Sequence, residues 1–154
     1  KQSGKIFTLS NDIYISKSNK YIYLYNDKSK LSSNKFSFKK NGNYILRLGI
    51  LTVSKSNKYI AFKNKEGVSL PINYLQELTL DRWNYGDKCI SISNTKLSVS
   101  DIFINNKLSI FHKKHFPLIK YLDKIIWIPG MFHGKILGIK KNEPCITLRW
   151  NTIL

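Results

Sequence analysis

Two histidines and two cysteines are the side chains best suited to hold a metal ion. His112 and His115 lie three residues apart, and Cys89 and Cys145 would complete a Cys2His2 set of zinc ligands. The usual zinc site pairs two neighbouring cysteines with two neighbouring histidines, whereas these cysteines are isolated in strand-like sequence. We therefore expect no metal site and two buried, structural thiols.

The sequence contains none of the usual catalytic motifs. Its eight glycines are scattered and form neither a GxGxxG nor a GxxxxGK(S/T) phosphate loop. No serine lies in a G-x-S-x-G elbow, and the carboxylates are few and isolated, so an acid–base pair would need distant segments to converge. We expect His112, His115 and His133 to be exposed or partly buried and not catalytic. The chain by itself is thus predicted to be non-catalytic.

Lysines gather around two short helices that the sequence predicts in its second half. Clustered cations at helix ends and turns suit phosphate contacts, which position a nucleic acid without reading its bases. Arg82 lies beside Trp83 in a polar turn, where its planar guanidinium could hold a phosphate or a carboxylate such as Asp87. The candidate nucleic-acid-binding residues are Arg82, Lys88, Lys96, Lys107, Lys113, Lys114 and Lys120.

The net charge is a weaker sign of a nucleic-acid partner than its size suggests. Lysine and arginine number 26 against 9 aspartates and glutamates, which gives +17. The chain holds 23 lysines and 15 asparagines but only 3 arginines and 1 alanine, a bias that AT-rich codons would produce on any surface. Part of the charge therefore reflects composition. In such a chain, each retained arginine indicates a need for a planar, bidentate side chain.

Composition favours a folded protein of a reducing compartment. The 42% of hydrophobic and 13% of aromatic residues are enough for a core. Arg47 and Gly49 interrupt the longest apolar stretch, at residues 44–53, well short of the roughly 18 residues of a membrane helix. Isolated cysteines and the lack of a signal-peptide pattern predict a cytoplasmic protein without membrane contact. Because the chain starts without methionine, we expect a fragment of a longer protein.

The first half, residues 1–77, predicts antiparallel β structure. Alternating apolar and polar residues predict strands at residues 5–9, 12–16, 20–25, 36–38, 44–53 and 59–62. Asn41-Gly42-Asn43 is a strong turn signal. It predicts a hairpin between the strand that contains Phe36 and the long strand that starts at Tyr44.

The second half, residues 78–154, introduces helical periodicity. Ser98 and Asp101 have the spacing of a capping box for a first helix, which we expect to end near Asn105. A second helix is predicted to start at Ser109 and to stop before the next proline, because the residue that precedes a proline avoids helical geometry.

Strands follow the two helices. Residues 117–121 and 124–128 predict a hairpin around Leu122-Asp123, Pro129-Gly130 predicts a turn, and two more strands are predicted at residues 136–139 and 145–150. The predicted class is therefore α+β, with an antiparallel β-rich first half followed by a small α+β module with two short helices.

Five segments of the second half follow one another in a distinctive order. They are Leu80-Asp81-Arg82-Trp83-Asn84-Tyr85-Gly86-Asp87-Lys88, Lys96-Leu97 with Asp101-Ile102-Phe103, Asn106-Lys107-Leu108-Ser109, His115-Phe116-Pro117-Leu118-Ile119, and Ile126-Trp127-Ile128-Pro129-Gly130. They resemble, in order, the R-x-x-x-G-D entry, the K-L-x-x-x-(L/I)-F helix, the K-I-P step, the proline-containing strand start and the (V/I)-W-(V/I)-P-G strand of one domain. That domain is the C-terminal domain of bacterial tRNA(Ile)-lysidine synthetases. The resemblance covers roughly residues 78–150.

The sequence departs from that family pattern at three places. Lys113-Lys114 stand where the family usually has Arg-Asp, so the charge at Lys113 is kept without the planar fork. Ser109 replaces a proline but can still begin a helix as its N-cap. Asn84-Tyr85 replace the usual Arg/Lys-Pro before the Gly-Asp pair.

The resemblance implies part of an enzyme that uses ATP to join lysine to cytidine 34 of an isoleucine tRNA, which changes codon reading from AUG to AUA. In the family, an S-G-G-x-D-S loop in an N-terminal domain carries that chemistry, with ATP and Mg²⁺, and this loop is not in the present sequence. The implied partners are isoleucine tRNA and the enzyme's own N-terminal catalytic domain. This chain would hold the tRNA and would bind no cofactor itself.

Two alternatives remain open from the residues alone. The chain could be a general RNA-binding module, which would bind unrelated structured RNAs equally well. It could also be a β-rich protein-interaction domain whose charge comes only from codon usage.

Overall fold

The structure, a computed structural model, describes residues 6–10, 13–17, 22–26, 36–38, 41–136 and 138–153. These residues form antiparallel sheets with short helices, which confirms the predicted α+β class. Among them, no helix is long and apolar enough to cross a membrane.

The strands in these ranges are short and follow one another closely. In chain order they are β1 Ile6–Ser10, β2 Ile13–Lys17, β3 Ile22–Asn26, β4 Phe36–Ser37, β5 Gly42–Leu46, β6 Gly49–Ser56, β7 Gly67–Pro71, β8 Leu78–Arg82, β9 Lys88–Ile90, β10 Lys96–Ser98, β11 Pro117–Tyr121, β12 Lys124–Ile128, β13 Phe132–His133 and β14 Cys145–Thr152. The helices are a 3₁₀ helix at Ile72–Glu77, α1 at Val99–Asn105 and α2 at Ile110–His115.

The first three strands form a sheet of their own, in the order β1-β2-β3. The strands predicted there are confirmed; residues 5, 12, 20 and 21 of those predictions lie outside the described ranges. Phe7 pairs with Ile15, which pairs with Leu24, so these three positions share one face of the sheet. Phe7 and Leu24 are exposed, and this face is therefore apolar and open.

Two larger sheets exchange strands between the halves of the sequence. One has the order β13-β12-β11-β8-β4 and the other the order β5-β6-β14-β7. The last strand, β14, thus lies between two strands of the first half, and β4 of the first half pairs with β8 of the second. The predicted domain boundary between residues 77 and 78 stays a prediction, and hydrogen-bonded sheets continue across it.

The chain reverses at Arg47–Leu48, between β5 and β6. The hairpin predicted around Asn41-Gly42-Asn43 is wrong, because β4 pairs with β8 instead of with β5. The single long strand predicted at residues 44–53 is likewise split in two. Leu48 is 1% exposed, so burial of this leucine at the turn overrides the local turn signal.

Gly49 allows β6 to pass directly beneath an aromatic ring of the neighbouring strand. A Cβ atom at this position would meet the Asn151 carbonyl oxygen and would lie 2.5 Å from Cζ2 of Trp150. That separation is far below van der Waals contact, so the position accepts only glycine. The close approach seats Trp150 over β6 at the first residue of that strand.

The strand predicted at residues 59–62 is also wrong. The backbone of Ile60 is hydrogen-bonded to the buried side chain of Ser69. The Ile60 N–H donates to Oγ of Ser69 at 3.3 Å, and this hydroxyl donates to the Ile60 carbonyl at 2.7 Å. The Phe62 ring covers Gly67, where a Cβ would collide with it. A serine hydroxyl thus makes the hydrogen bonds to this backbone that a neighbouring strand would otherwise make.

The strand predicted at residues 136–139 does not form at residues 136, 138 and 139, and residue 137 lies outside the described ranges; β13 forms a few residues earlier instead. Pro129-Gly130 form the predicted turn, in which Met131 N–H donates to the Ile128 carbonyl at 3.0 Å and Gly130 has φ +70°. The β12–β13 hairpin therefore closes directly after this turn. The strand predicted at residues 145–150 is confirmed within β14.

Both predicted helices are confirmed, as is the hairpin β11–β12 that follows them. Leu122 and Asp123 both have positive φ, which is typical of the type I′ turn of a two-residue hairpin. The predicted capping box at Ser98 does not form, since the Ser98 side chain makes no capping bond. Ser109 does cap α2, because its Oγ accepts the His112 N–H at 3.3 Å.

The end of α1 is a Schellman motif with lysine at the position that usually holds glycine. Leu108 N–H donates to the Phe103 carbonyl at 3.0 Å, and Lys107 N–H donates to the Ile104 carbonyl at 2.9 Å. Lys107 has φ +55°, a left-handed conformation that costs a residue with a Cβ atom about 1 kcal/mol.

A single hydrophobic core joins the two halves, and it lies between the two larger sheets and the helices. Its fully buried large side chains come from both halves and are Trp127, Phe38, Phe103, Leu48, Leu51, Leu70, Leu78, Leu118, Ile119, Ile128, Ile146 and Leu148.

We expect Gly49→Ala to lower the free energy of unfolding by about 1–3 kcal/mol, because the new methyl group must displace Trp150 or the β14 backbone. Ile45→Ala is the matched control, since Ile45 lies on the same hairpin but is 80% exposed, and we expect it to change stability by less than about 0.5 kcal/mol. Urea denaturation measures both, and equal stabilities of the two variants would contradict the packing described.

Candidate nucleic-acid interface

The β9–β10 hairpin presents two of the candidate lysines on one face. Cys89 pairs with Leu97, and these side chains point to the core, where Cys89 is 2% exposed. Strand alternation places the flanking Lys88 and Lys96 on the opposite face. Both lysines are exposed, so this face of the hairpin is cationic and open to a ligand.

A tight turn precedes the hairpin. Asp87 N–H donates to the Asn84 carbonyl at 3.1 Å, and Gly86, with φ +88°, occupies the third position of this type II turn. The Asp87 carboxylate accepts the Asn84 N–H at 2.8 Å. In the part of the chain that the structure describes, no ion pair joins Asp87 to Arg82, so the carboxylate partner considered for Arg82 is a turn-closing group instead.

Lys120 does not belong to the open cationic surface. It lies in β11, its side chain is 11% exposed, and Nζ donates to Oδ2 of Asp81 at 2.6 Å. The sequence places Lys120 among the lysines around the helices, but strand pairing between β8 and β11 brings it beside Asp81. Its charge is thus balanced inside the protein, and we remove it from the candidate set.

The remaining lysines lie on the helices and the turn between them. Lys107 lies just beyond the C-cap of α1, and its side chain is exposed. Lys113 is half-buried and Lys114 is exposed, both in the last turn of α2, where cations are favoured by the helix dipole. Because α1 directly follows β10 and is about 10 Å long, Lys107 and the hairpin lysines belong to one continuous segment of the fold.

Two of the three arginines use the flat face of the guanidinium. Arg47 lies over the Phe111 ring, with Cζ 5.4 Å from the centroid, and Arg149 lies over Phe62 at 5.1 Å. Arg82 is half-buried at the end of β8. Arg47 and Arg149 thus each place a planar guanidinium over an aromatic ring, a contact that favours arginine.

His115 connects α2 to the β5–β6 turn and has no free nitrogen. Its Nδ1 donates to the Phe111 carbonyl at 2.8 Å, so Nε2 is the acceptor for the Arg47 guanidinium at 3.1 Å. The ring is buried. Sequence reasoning considered His115 as a possible base or metal ligand, but the geometry makes it a structural link between the two halves.

The other two histidines are half-buried and held neutral. Burial lowers the pKa of His112, whose Nδ1 lies 2.7 Å from Oγ of Ser109. Burial also lowers the pKa of His133, and the positive charge of Lys65 adds to this effect.

Both cysteines are free and buried, as predicted. Burial raises the pKa of the Cys89 thiol to about 11, so this thiol is protonated and unreactive at neutral pH. Among the described residues, no three His, Cys, Asp or Glu side chains come together as a metal site.

Sequence reasoning missed one prominent side chain of this surface. Tyr85, in the turn before the hairpin, is 95% exposed. The signal was present as an aromatic residue between Asn84 and Gly86, a pair typical of turns, but an exposed tyrosine cannot be told from a buried one without the packing.

Comparisons with known proteins agree with the fold but add no close relative. No family model matches the chain, and no curated protein matches it. The fold is similar to the crystal structure of a TILS C-terminal domain, with a TM-score of 0.70 and 15% sequence identity. The similarity covers 80% of this chain and 99% of that chain. At this identity the likeness shows a shared fold.

We expect Asp81→Asn to lower the free energy of unfolding by about 3 kcal/mol, because Lys120 would keep a buried charge without its partner. The asparagine oxygen can still accept the Arg82 N–H that Oδ1 accepts at 2.7 Å. Adding Lys120→Met removes this unpaired buried charge, and the double variant should regain most of the lost free energy of unfolding. Urea denaturation of the single and double variants tests this; a single variant within about 0.5 kcal/mol of wild type would contradict a buried pair.

We expect stability to fall as the pH drops below about 6.5, the ordinary pKa of histidine. His112 and His133 have lowered pKa values in the folded state, so the unfolded chain takes up protons first and is favoured in this window. Above it, both states carry neutral histidines and the effect vanishes. The free energy of unfolding, measured in urea across this range, should therefore depend less on pH in a His112→Gln/His133→Gln variant. An unchanged pH dependence would show that these two histidines are not its cause.

Proposed function

We propose that this chain is the tRNA-recognition part of a cytoplasmic tRNA(Ile)-lysidine synthetase. The fold shared with a TILS C-terminal domain supports the proposal, which also takes up the resemblance of the five ordered segments between roughly residues 78 and 150. The observation that carries it is the open cationic face of Lys88 and Lys96 on the β9–β10 hairpin, whose second strand continues directly into α1.

The exposed lysines have the chemistry to hold a structured RNA. An A-form stem is recognised largely through its shape, phosphates and 2′-hydroxyl groups. Lysine ammonium groups suit phosphates as point charges. The proposed phosphate contacts are Lys88, Lys96, Lys107, Lys113 and Lys114, with Arg82 beside them.

In this proposal the chain contributes binding and orientation. It holds the body of an isoleucine tRNA so that the anticodon reaches the enzyme's N-terminal domain. That domain would bind ATP, Mg²⁺ and lysine and would join lysine to cytidine 34. The residues of this chain take no part in the chemical step, which agrees with the buried thiols and the fully bonded His115.

One observation favours a protein-interaction domain as a second candidate. The sheet β1-β2-β3 exposes Phe7, Ile22 and Leu24, with Leu24 67% exposed. An open apolar sheet face is typical of a protein interface. This face and the cationic hairpin belong to different sheets.

The Lys107→Gly variant should change stability and RNA affinity in opposite directions. Glycine removes the positive charge, which weakens RNA binding, and it also removes the backbone strain at this position, which stabilises the fold. We expect the variant to be more stable by about 0.5–1 kcal/mol, since glycine adopts φ +55° without cost. We also expect it to bind isoleucine tRNA more weakly and with a shallower salt dependence, by about 0.7–0.9 in the log–log slope for one lost phosphate contact. Urea denaturation and RNA titration at several salt concentrations give the two quantities.

Lys65→Gly is a closely matched control. Lys65 is also exposed and left-handed, with φ 54°, but it lies on the loop before β7, where its Nζ donates to the Met131 carbonyl at 3.1 Å. We expect the Lys65→Gly variant to be more stable than the wild type and to bind RNA with the same affinity. Equal losses of affinity in both variants would contradict a defined surface, and equal affinity of the wild type for unrelated structured RNAs would favour a general RNA-binding module.

A further inference from the structure

Tyr85 is the most exposed of the large apolar and aromatic side chains in the part of the chain that the structure describes, at 95%. Nothing in the fold uses its ring. A tyrosine in water gains nothing from packing, whereas an accessible aromatic ring offers a flat face to a flat ligand. The side chain stands at the tip of the turn that begins the cationic hairpin.

Three hydrogen bonds hold the backbone of the exposed turn that carries Tyr85. Asn84 N–H donates to Asp87 Oδ2 at 2.8 Å, Asp87 N–H donates to the Asn84 carbonyl at 3.1 Å, and Asn84 Nδ2 donates to the Arg82 carbonyl at 3.3 Å. Gly86 supplies the left-handed residue. A braced turn reduces the entropy that the backbone would lose on binding.

Both ends of the turn are tied to the protein interior. On one side, Trp83 packs edge-to-face on the fully buried Phe103, with ring centroids 6.0 Å apart. On the other side, the Asp87 carbonyl accepts the N–H of Val99, the first residue of α1, at 3.0 Å. The ring of Tyr85 is therefore held out from a fixed base.

The charges around the turn decide what kind of group the ring would meet. Asp87 places a carboxylate within the turn itself, which repels a phosphate at that point. Lys88 follows directly and is exposed. The arrangement suits a nucleotide whose uncharged base lies on Tyr85 while its phosphate lies toward Lys88.

We propose that Tyr85 stacks on an unpaired nucleobase that flanks a base-paired stem of the bound RNA. This inference rests on the proposed RNA-binding function and adds a single-stranded element to it. Base–aromatic stacking needs only the flat face of the ring and tolerates any base, so Tyr85 supplies affinity for an unpaired nucleotide and not sequence selectivity.

The test compares two RNAs and four proteins. One RNA is a blunt hairpin, and the other is the same hairpin with a short single-stranded 3′ tail. The wild type should bind the tailed hairpin about tenfold more tightly than the blunt one, as one stacked base would provide. Tyr85→Ala should lose that preference and keep the affinity for the blunt hairpin, while Tyr85→Phe should retain the preference because no hydroxyl is needed.

Leu122→Ala is the matched control, since Leu122 is another exposed turn side chain without an aromatic face. It should leave both affinities unchanged. If Tyr85→Ala binds both RNAs as the wild type does, the stacking role is wrong while the RNA-binding function stands. If the wild type binds neither RNA at low salt, the proposed function fails, and the stacking role fails with it.

Discussion

A chain of aromatic contacts transmits the packing of the central strand to the candidate RNA surface. Trp150 lies over Gly49, where any larger residue would collide, and its ring is 5.9 Å from that of Phe116. Phe116 contacts Phe103, and Phe103 contacts Trp83 at the base of the exposed turn. Because a Cβ atom at position 49 would collide with Trp150 and the β14 backbone, this series of aromatic contacts begins at a glycine of the first half of the sequence.

The elements that could be predicted from the sequence are those with local signals. The α2 helix follows from its Ser109 cap and the proline after it, and the β11–β12 hairpin follows from its two-residue turn. The α1 helix forms where its apolar spacing predicts it, although the predicted Ser98 cap does not form. The reversal at Arg47–Leu48 and the bonding of Ile60 to Ser69 could not be predicted, because both depend on tertiary burial. Where local strand or turn propensity conflicts with the burial of a side chain in the core, burial determines the structure.

The same distinction applies to the candidate site. Exposed Lys88 and Lys96 could be identified as candidates from type and spacing, but the strand register that pairs Lys120 with Asp81 could not. The net charge of +17 therefore overstates the binding surface. It includes lysines whose charge is balanced within the fold, such as Lys120, which pairs with Asp81.

The central claim is that RNA binds the face formed by the residue 84–87 turn, the β9–β10 hairpin and Lys107. A ¹H–¹⁵N NMR titration with an RNA hairpin at low salt tests it directly, because backbone amide shifts report which surface meets the ligand. If RNA binds this face, the largest shifts will occur at residues 84–97 and 106–114. Shifts concentrated on β1-β2-β3, or spread evenly over all exposed lysines, would contradict it.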